Sequence, residues 1–180
     1  MGSIVDRRWE LDRVRGGLLG TSVAIAEEVL SVSRHILVAG LLVLFSPPLW
    51  ADECSVDIEA NDRIAFNVHA IEVSRSCREF TVNLQHTGTL EKTLMGHNWV
   101  LARAMDQQAV ASAGLVGGLA HSFTRPGDAR VLAATRVIGG GESTSVTFPV
   151  SLLEEGQQYL FFCSFPGHTA LMRGTLRLVD

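Results

Sequence analysis

The sequence has no excess of basic residues, no internal repeat and no apolar run long enough to span a membrane. Fifteen Lys and Arg stand against nineteen Asp and Glu, which gives a formal net charge of −4. Because nucleic-acid binding needs a basic face that neutralises phosphates, we expect no nucleic-acid partner. The apolar run at residues 36–45 is about half the length that a helix needs to cross a bilayer core of ~30 Å, so we expect no membrane span in the mature chain.

That short apolar run is instead typical of a secretory signal. Arg34 supplies the positive charge before it, and the small residue Ala51 offers a cleavage point after it. We therefore expect residues 34–51 to be the signal core and cleavage region. We expect the exported chain to reside in the periplasm.

The remaining residues are enough for one domain. Residues 52–180 can bury a full-sized core, and we expect them to form the mature protein. Residues 1–33 carry mixed charge and a patchy helical pattern, and we predict an N-terminal extension outside the mature protein. A membrane-proximal helix is the alternative for this extension.

Cysteine is scarce, and its number is odd. Three Cys in an exported chain leave one thiol unpaired, and a free thiol outside the cytosol is unusual. We expect a disulfide between Cys54 and Cys77, worth about 3 kcal/mol in the chain-entropy model. Cys163 would then be available to a metal. The alternative pairs Cys163 with an N-terminal Cys and would remove that thiol from any site.

Beyond residue 52 the chain consists of short segments in which apolar and polar residues alternate between turn residues. Cys54, Val56 and Ile58, for example, share one face at period two. Such segments lie at residues 54–60, 65–68, 70–73, 79–84, 98–101, 131–134, 145–150, 159–162 and 174–179. This pattern predicts an all-β, antiparallel Greek-key sandwich or barrel of about eight strands.

One region departs from the strand pattern. Residues 102–119 are rich in Ala, Gln and Met, with apolar residues at near-helical spacing. We predict an inserted helical flap there, ended by Gly114, Gly117 and Gly118.

The loop from Cys163 to Met172 carries the most informative chemistry in the chain. It places a thiolate, the imidazole of His168 and a thioether within ten residues, at the end of the predicted strand 159–162. Two His and one Cys with a weak axial Met form the ligand set of a blue-copper electron-transfer site. Taken alone, Cys163 or Met172 would more often be a core residue, since free Cys and Met both pack as hydrophobic side chains.

A second imidazole is needed, and His97 is the best candidate. It begins a predicted strand and is followed by the polar Asn98, whose side chain can tie two ligand loops together. Asn98 and Phe165 are expected to lie just outside the ligands. We interpret His69, His86 and His121 as ordinary residues, with His86 the one expected to be buried and to titrate, and His35 as part of the signal.

Residues 95–101 (MGHNWVL) and 161–172 (FFCSFPGHTALM) resemble the two copper loops of the azurin family of blue-copper cupredoxins, and residues 53–58 resemble its N-terminus. The resemblance runs from about residue 52 to 180. It implies an eight-stranded cupredoxin barrel with an extra helix and a Cys54–Cys77 disulfide. It also implies a copper-ligand set of His97, Cys163 and His168 in the plane, Met172 as a distant axial ligand and the Gly96 carbonyl as a weak axial contact.

The same resemblance implies an apolar patch around the exposed edge of His168, through which redox partners such as c-type cytochromes dock. Its members would be Ile64, Leu90, Met95, Leu115, Phe165, Pro166 and Leu171. An exposed apolar surface of this kind suits a short-lived interface. Ile64 and Leu115 stand where Met is common in the family, and for both a core position is an equal alternative.

Together these features predict a monomeric periplasmic protein that transfers single electrons by Cu(II)/Cu(I) cycling. Copper storage or delivery is the alternative, although the chain has no Met-rich or His-rich tract of the kind expected there. An enzyme would need a second copper site or an open coordination position, and the sequence shows neither. Zinc could occupy the same donors in a heterologous host but would be redox-silent.

Overall fold

Nine strands form two β-sheets in the computed structural model, which describes residues 54–180. The strands are β1 (Ser55–Asn61), β2 (Ala65–Phe66), β3 (Ala70–Ser74), β4 (Glu79–His86), β5 (Val100–Arg103), β6 (Ala133–Ala134), β7 (Ser143–Pro149), β8 (Tyr159–Phe162) and β9 (Arg173–Val179). The first sheet has the order β2-β1-β4-β7, and the second has the order β3-β9-β8-β5-β6. The predicted extension, signal region and cleavage at Ala51 lie outside the described residues.

The predicted count of eight strands is reached when β2 and β3 are taken as one segment that changes sheets. Ala65 and Phe66 pair with β1, whereas Ala70–Ser74 pair with β9 in the other sheet. Only three residues separate the two elements. The all-β architecture of two sheets predicted from the sequence is therefore confirmed.

The antiparallel pairing predicted from the sequence holds for five of the seven strand pairs of residues 54–180 and fails for the other two. β1 runs parallel to β4, with Ser55 opposite Thr81, and β3 runs parallel to β9, with Ala70 opposite Thr175. The alternation of apolar and polar residues fixes which face of a strand is buried, but it carries no information on the direction of the neighbouring strand.

Alternate residues of the strands fill one hydrophobic core between the sheets. In β4, Phe80, Val82 and Leu84 are buried while the residues between them face outward. Trp99 lies in the middle of this core, where its ring stacks on Phe148 and Phe161 at centroid distances of 6.2 and 5.9 Å. This packed framework leaves one end of the two sheets to the loops that carry His97 and Cys163.

Two α-helices, α1 (Lys92–Met95) and α2 (Gln107–Gly117), lie outside the sheets. The predicted flap is shorter than expected, because Ala102 still belongs to β5 and residues 104–106 form a 3-10 turn. Gly114 lies within α2 rather than ending it. Glycine is needed at this position because a Cβ there would collide with the Phe123 carbonyl oxygen. Gly118, at φ 59°, caps the helix as predicted.

A disulfide joins Cys54 to Cys77, with Cα atoms 5.7 Å apart. Cys163 is a buried free thiol, so the alternative pairing is ruled out. Within residues 54–180, no helix has both the length and the apolar character needed to cross a membrane.

Candidate metal centre

Antiparallel pairing of β5 with β8 brings the two predicted ligand loops to the same end of the second sheet. Val100 lies opposite Phe162, so the residues just before β5 and those just after β8 emerge side by side. His97 lies on the first of these loops and Cys163 on the second. Residues 66 positions apart in the sequence are thereby placed in contact.

Three donor atoms converge at this point. The Cys163 Sγ lies 4.0 Å from His97 Nδ1 and 3.8 Å from His168 Nδ1, and the three atoms all lie within 4.8 Å of one another. All three residues are buried, with His168 exposed by only 4%. The structure therefore brings together the thiol and the two imidazoles that the sequence singled out.

The ring of His97 is fixed from its far side by a backbone carbonyl. Its Nε2–H donates to the Asn61 carbonyl oxygen at 2.9 Å, which leaves Nδ1 facing Cys163. The turn that presents this oxygen closes through the Ile64 N–H at 3.1 Å, with Ile64 at φ 58°, a conformation that β-branched residues rarely adopt. The His86 ring stacks on His97 at 4.6 Å, and it is buried, as the sequence predicted.

The loop after β8 folds back on itself, so that its ends meet. The Cys163 N–H donates to the Met172 carbonyl at 2.9 Å, and the Met172 N–H donates to the His168 carbonyl at 2.9 Å. Thr169 Oγ1 donates to the Cys163 carbonyl at 2.9 Å. Gly167, at φ 85°, makes the reversal possible because it adopts a left-handed backbone conformation that other residues rarely take. His168 is thereby returned to the Cys163 side chain, and Met172 is fully buried.

Asn98 joins the two ligand loops. Its Oδ1 accepts the Ser164 N–H at 2.9 Å, and its Nδ2 donates to Ser164 Oγ at 2.8 Å and to the Ser122 carbonyl at 2.8 Å. Because Asn98 follows His97 and Ser164 follows Cys163, one buried amide holds both ligands in register.

Burial controls the protonation of the donors in the metal-free protein. Desolvation raises the pKa of the Cys163 thiol to about 12, although the backbone N–H groups of Asn98 and Phe165 act in the opposite direction. Desolvation also lowers the pKa of His97 to about 4, helped by the charge of His86, and it lowers the pKa of His168. At neutral pH both imidazoles therefore keep a lone pair for a metal.

The spacing of these donors fits a metal ion. Three atoms about 4 Å apart can each reach a common centre at about 2.3 Å, close to the bond lengths of metal to thiolate and imidazole. One soft sulfur and two imidazoles favour copper or zinc over Mg²⁺ or Ca²⁺, which prefer oxygen ligands.

Comparison with known proteins decides the family. Residues 52–179 match the model of copper-binding proteins of the plastocyanin/azurin family. The chain belongs to this family. It is 56% identical over 145 residues to the azurin of Pseudomonas aeruginosa, which covers 81% of this chain and 98% of that protein. The azurin of Bordetella pertussis is 58% identical over 140 residues, covering 78% and 93%.

A solved azurin structure, Az-iso2 from Methylomonas sp. strain J, agrees with the fold at a TM-score of 0.69 and 48% identity, covering 71% of this chain and 98% of that one. The family and the buried His/Cys/His group together identify the cofactor as one type 1 copper ion. The chain is accordingly a blue-copper electron-transfer protein of the azurin type.

Gly96 adjoins the donors of this azurin-type centre. Its carbonyl oxygen lies 3.9 Å from Cys163 Sγ. A Cβ at this position would collide with the Lys92 carbonyl oxygen and come within 2.8 Å of the Phe165 ring. Glycine is therefore required for the loop to pack this closely against the donors.

The predicted patch residues differ in exposure. Leu90, Leu115, Pro166 and Leu171 are exposed, with Leu171 at 70%. Ile64 and Met95 are half-buried, and Ile64 packs against the core. Phe165 is buried at 9% exposure, with its ring against His168 at a centroid distance of 4.8 Å.

Several residues that shape this azurin-type site were missed by sequence reasoning. Asn61 acts through its backbone carbonyl, which any residue type would supply. Ser122 and Ser164 bind Asn98, and Thr169 braces the ligand loop. The signal for Ser164 and Thr169 was their position directly after Cys163 and His168.

Proposed function

We propose that this protein carries single electrons between redox proteins of the periplasm. The observation that carries the proposal is the convergence of one buried sulfur and two buried imidazole nitrogens within 4.8 Å. The predicted export signal and the Cys54–Cys77 disulfide support an oxidising compartment outside the cytosol.

In this proposal His97, Cys163 and His168 would hold the copper ion, and the Met172 thioether and the Gly96 carbonyl oxygen would be additional, weaker contacts. When bound, the copper supplies the one-electron Cu(II)/Cu(I) couple. The burial of Met172 and the 3.9 Å approach of the Gly96 oxygen to Cys163 Sγ are compatible with these roles.

The chain's own contribution is to keep the ligands still. Asn61 fixes the ring of His97, and Asn98 locks the loop of Cys163 to the loop of His97. The Asn98 and Phe165 N–H groups stabilise the thiolate. Because these contacts exist without the metal, little has to move when the oxidation state changes.

Electrons would enter and leave beside His168, whose carbonyl accepts the N–H of the exposed Leu171 at 3.0 Å and which follows the exposed Pro166 by two residues. A small apolar surface supports the short-lived docking that a carrier needs. Redox proteins such as c-type cytochromes are the partners that the azurin resemblance implies, and the protein would act as a monomer.

Storage or delivery of copper fits the structure less well than electron transfer. A delivery site must exchange its metal, whereas all three donors here are buried. Catalysis would need further metal ligands, and residues 54–180 contain no second group of three His, Cys, Asp or Glu donors with metal-binding spacing. We therefore propose a carrier and not an enzyme.

Absorption spectroscopy and voltammetry of the copper-loaded protein test this proposal. We expect an intense visible charge-transfer band and a reversible one-electron wave. Cys163→Ser should abolish the band. The control His69→Gln, which changes an exposed imidazole and retains Cys163, should preserve the band. A colourless Cu(II) form, or rapid loss of copper to a mild chelator, would contradict the carrier role.

A further inference from the structure

Positive charge is concentrated at the copper end of an otherwise acidic domain. Four segments supply the apolar patch, namely residues 61–64, 90–96, 115–125 and 165–173. They contain four Lys or Arg and two Asp or Glu. The other residues of 54–180 contain six Lys or Arg and ten Asp or Glu. The end through which electrons would pass therefore has the opposite sign to the rest of the domain.

Two of these cations adjoin the patch on the first two segments. Arg63 directly precedes Ile64, in the turn that Asp62 ties to Leu90 through the Leu90 N–H at 3.4 Å. Lys92 begins α1, and its backbone packs against Gly96 beside the Phe165 ring. Arg63 and Lys92 are both exposed.

The other two cations lie on the remaining segments. Arg125 follows Phe123 by two residues, and the Phe123 ring meets the Phe165 ring edge-on at 5.1 Å. Arg173 follows Leu171 by two residues and lines a cavity of about 290 Å³ with Gly167. Each of the four segments thus contains one exposed cation.

Like Arg78, and unlike the other cations of residues 54–180, these four side chains form no ion pair. The remaining arginines, apart from Arg78, each have a carboxylate oxygen within 4.0 Å. Of the two carboxylates in the patch segments, Asp62 accepts the Thr89 N–H at 2.8 Å, and Glu91 alone is exposed and unpaired. The charge of Arg63, Lys92, Arg125 and Arg173 is therefore available to a partner.

We propose that these four cations, the basic rim, select a redox protein whose apolar contact surface is bordered by carboxylates. The inference rests on the proposed carrier function and names the partner class for the same surface. Complementary charge raises the rate of encounter and orients the partner, while the apolar centre makes the contact. Four cations spread over four segments do not form the continuous track that a phosphate backbone requires, and they make two copies repel each other at this end.

Electrodes of defined surface chemistry test the basic rim without a known partner. Gold is coated with a mixed monolayer of methyl-terminated thiols and either carboxylate-terminated or ammonium-terminated thiols, and the electron-transfer rate of the copper-loaded protein is measured by voltammetry. At low ionic strength we expect a rate at least about fivefold higher on the carboxylate surface. The difference should shrink in about 0.5 M salt, where charges are screened within a few ångströms.

A matched pair of charge reversals locates the effect. Arg125→Glu should remove most of the carboxylate preference, whereas Arg78→Glu, an equal charge change at an exposed unpaired arginine outside the rim, should leave it intact. Equal rates on the two surfaces, or equal losses in the two variants, would overturn the proposal. A missing blue band or a missing redox wave would instead count against the carrier function, so the two failures are distinguishable.

Discussion

The side-chain amide of Asn98 is bound to the backbone of Ser164, with Asn98 Oδ1 accepting the Ser164 N–H at 2.9 Å. Both residues are buried, and each directly follows a copper ligand. A hydrogen bond that is present without the metal therefore helps to set the distance between His97 and Cys163.

Asn98→Ala should lower the free energy of unfolding of the metal-free protein by about 3 kcal/mol, because it leaves a buried N–H, a hydroxyl and a carbonyl without their partner. It should also shift the reduction potential, since the Cys163 loop loses its anchor. Urea denaturation and voltammetry measure the two effects. Asn83→Ala, which removes only an exposed hydrogen bond to Asp57, is the control and should cost less than about 1 kcal/mol. Equal costs for the two variants would mean that the buried amide has no special role.

The disulfide offers a test of stability that should leave the copper site alone. Replacing Cys54 and Cys77 by Ala should reduce the free energy of unfolding by about 3 kcal/mol, mainly because the unfolded chain gains freedom. Neither residue is among the hydrogen-bond partners described above for His97, Cys163 and His168. The visible spectrum should be unchanged at room temperature. A changed spectrum would show that the disulfide also shapes the metal centre.

The ligands could be predicted because their metal-binding atoms belong to side chains, which the sequence specifies directly. Cys163, His168 and Met172 occupy one loop, and the pattern of the preceding strand 159–162 places that loop at the end of the strand. His97 needed an additional clue, which the neighbouring Asn98 provided. The all-β fold class could be predicted because apolar and polar residues alternate with a period of two along the strands.

Other features carry no local signal. Parallel pairing of β1 with β4 depends on how the chain crosses between sheets, which alternation does not encode. Helix α1 has four residues and is too short to show a helical period. Ile64, Ser122 and Phe123 adopt positive φ although none is Gly or Asn, because the surrounding contacts impose it.

The metal-free protein should lose stability on both sides of a neutral plateau. The pKa of His97 is about 4 when folded and 6.5 when unfolded, so below pH 6.5 the unfolded state binds the proton first and unfolding is favoured. The pKa of Cys163 is about 12 against 9.0, so above pH 9 the unfolded thiol ionises first, with the same result.

Urea denaturation from pH 4.5 to 10 measures this profile. We expect the free energy of unfolding to fall by about 2 kcal/mol between pH 7 and 4.5 through His97. His97→Gln should make the acid limb shallower by a similar amount, and Cys163→Ala should flatten the alkaline limb. Variants with the slopes of the parent protein would assign the pH dependence to other groups.

At Gly114 we expect packing to reverse the usual sign of the stability change that a Gly→Ala substitution causes in a helix. Replacing a glycine inside a helix by Ala ordinarily stabilises a protein by about 1 kcal/mol. At Gly114 the added Cβ would collide with the Phe123 carbonyl oxygen, and it would come within 2.8 Å of the carbonyl carbon. We expect Gly114→Ala to destabilise by about 2 kcal/mol. The exposed Ser112→Ala in the same helix should change stability by less than about 0.5 kcal/mol.

The effect of Gly114→Ala should also reach the copper centre, because the displaced segment contains Ser122. The Ser122 carbonyl accepts Asn98 Nδ2–H at 2.8 Å, and the Phe123 ring packs on Phe165. A shift of this segment would therefore loosen Asn98 and alter the charge-transfer band, whereas Ser112→Ala should leave the band unchanged. If Gly114→Ala were stabilising and spectroscopically silent, α2 would have room to move away from residues 122–123, and the flap would not help to hold the ligand loops.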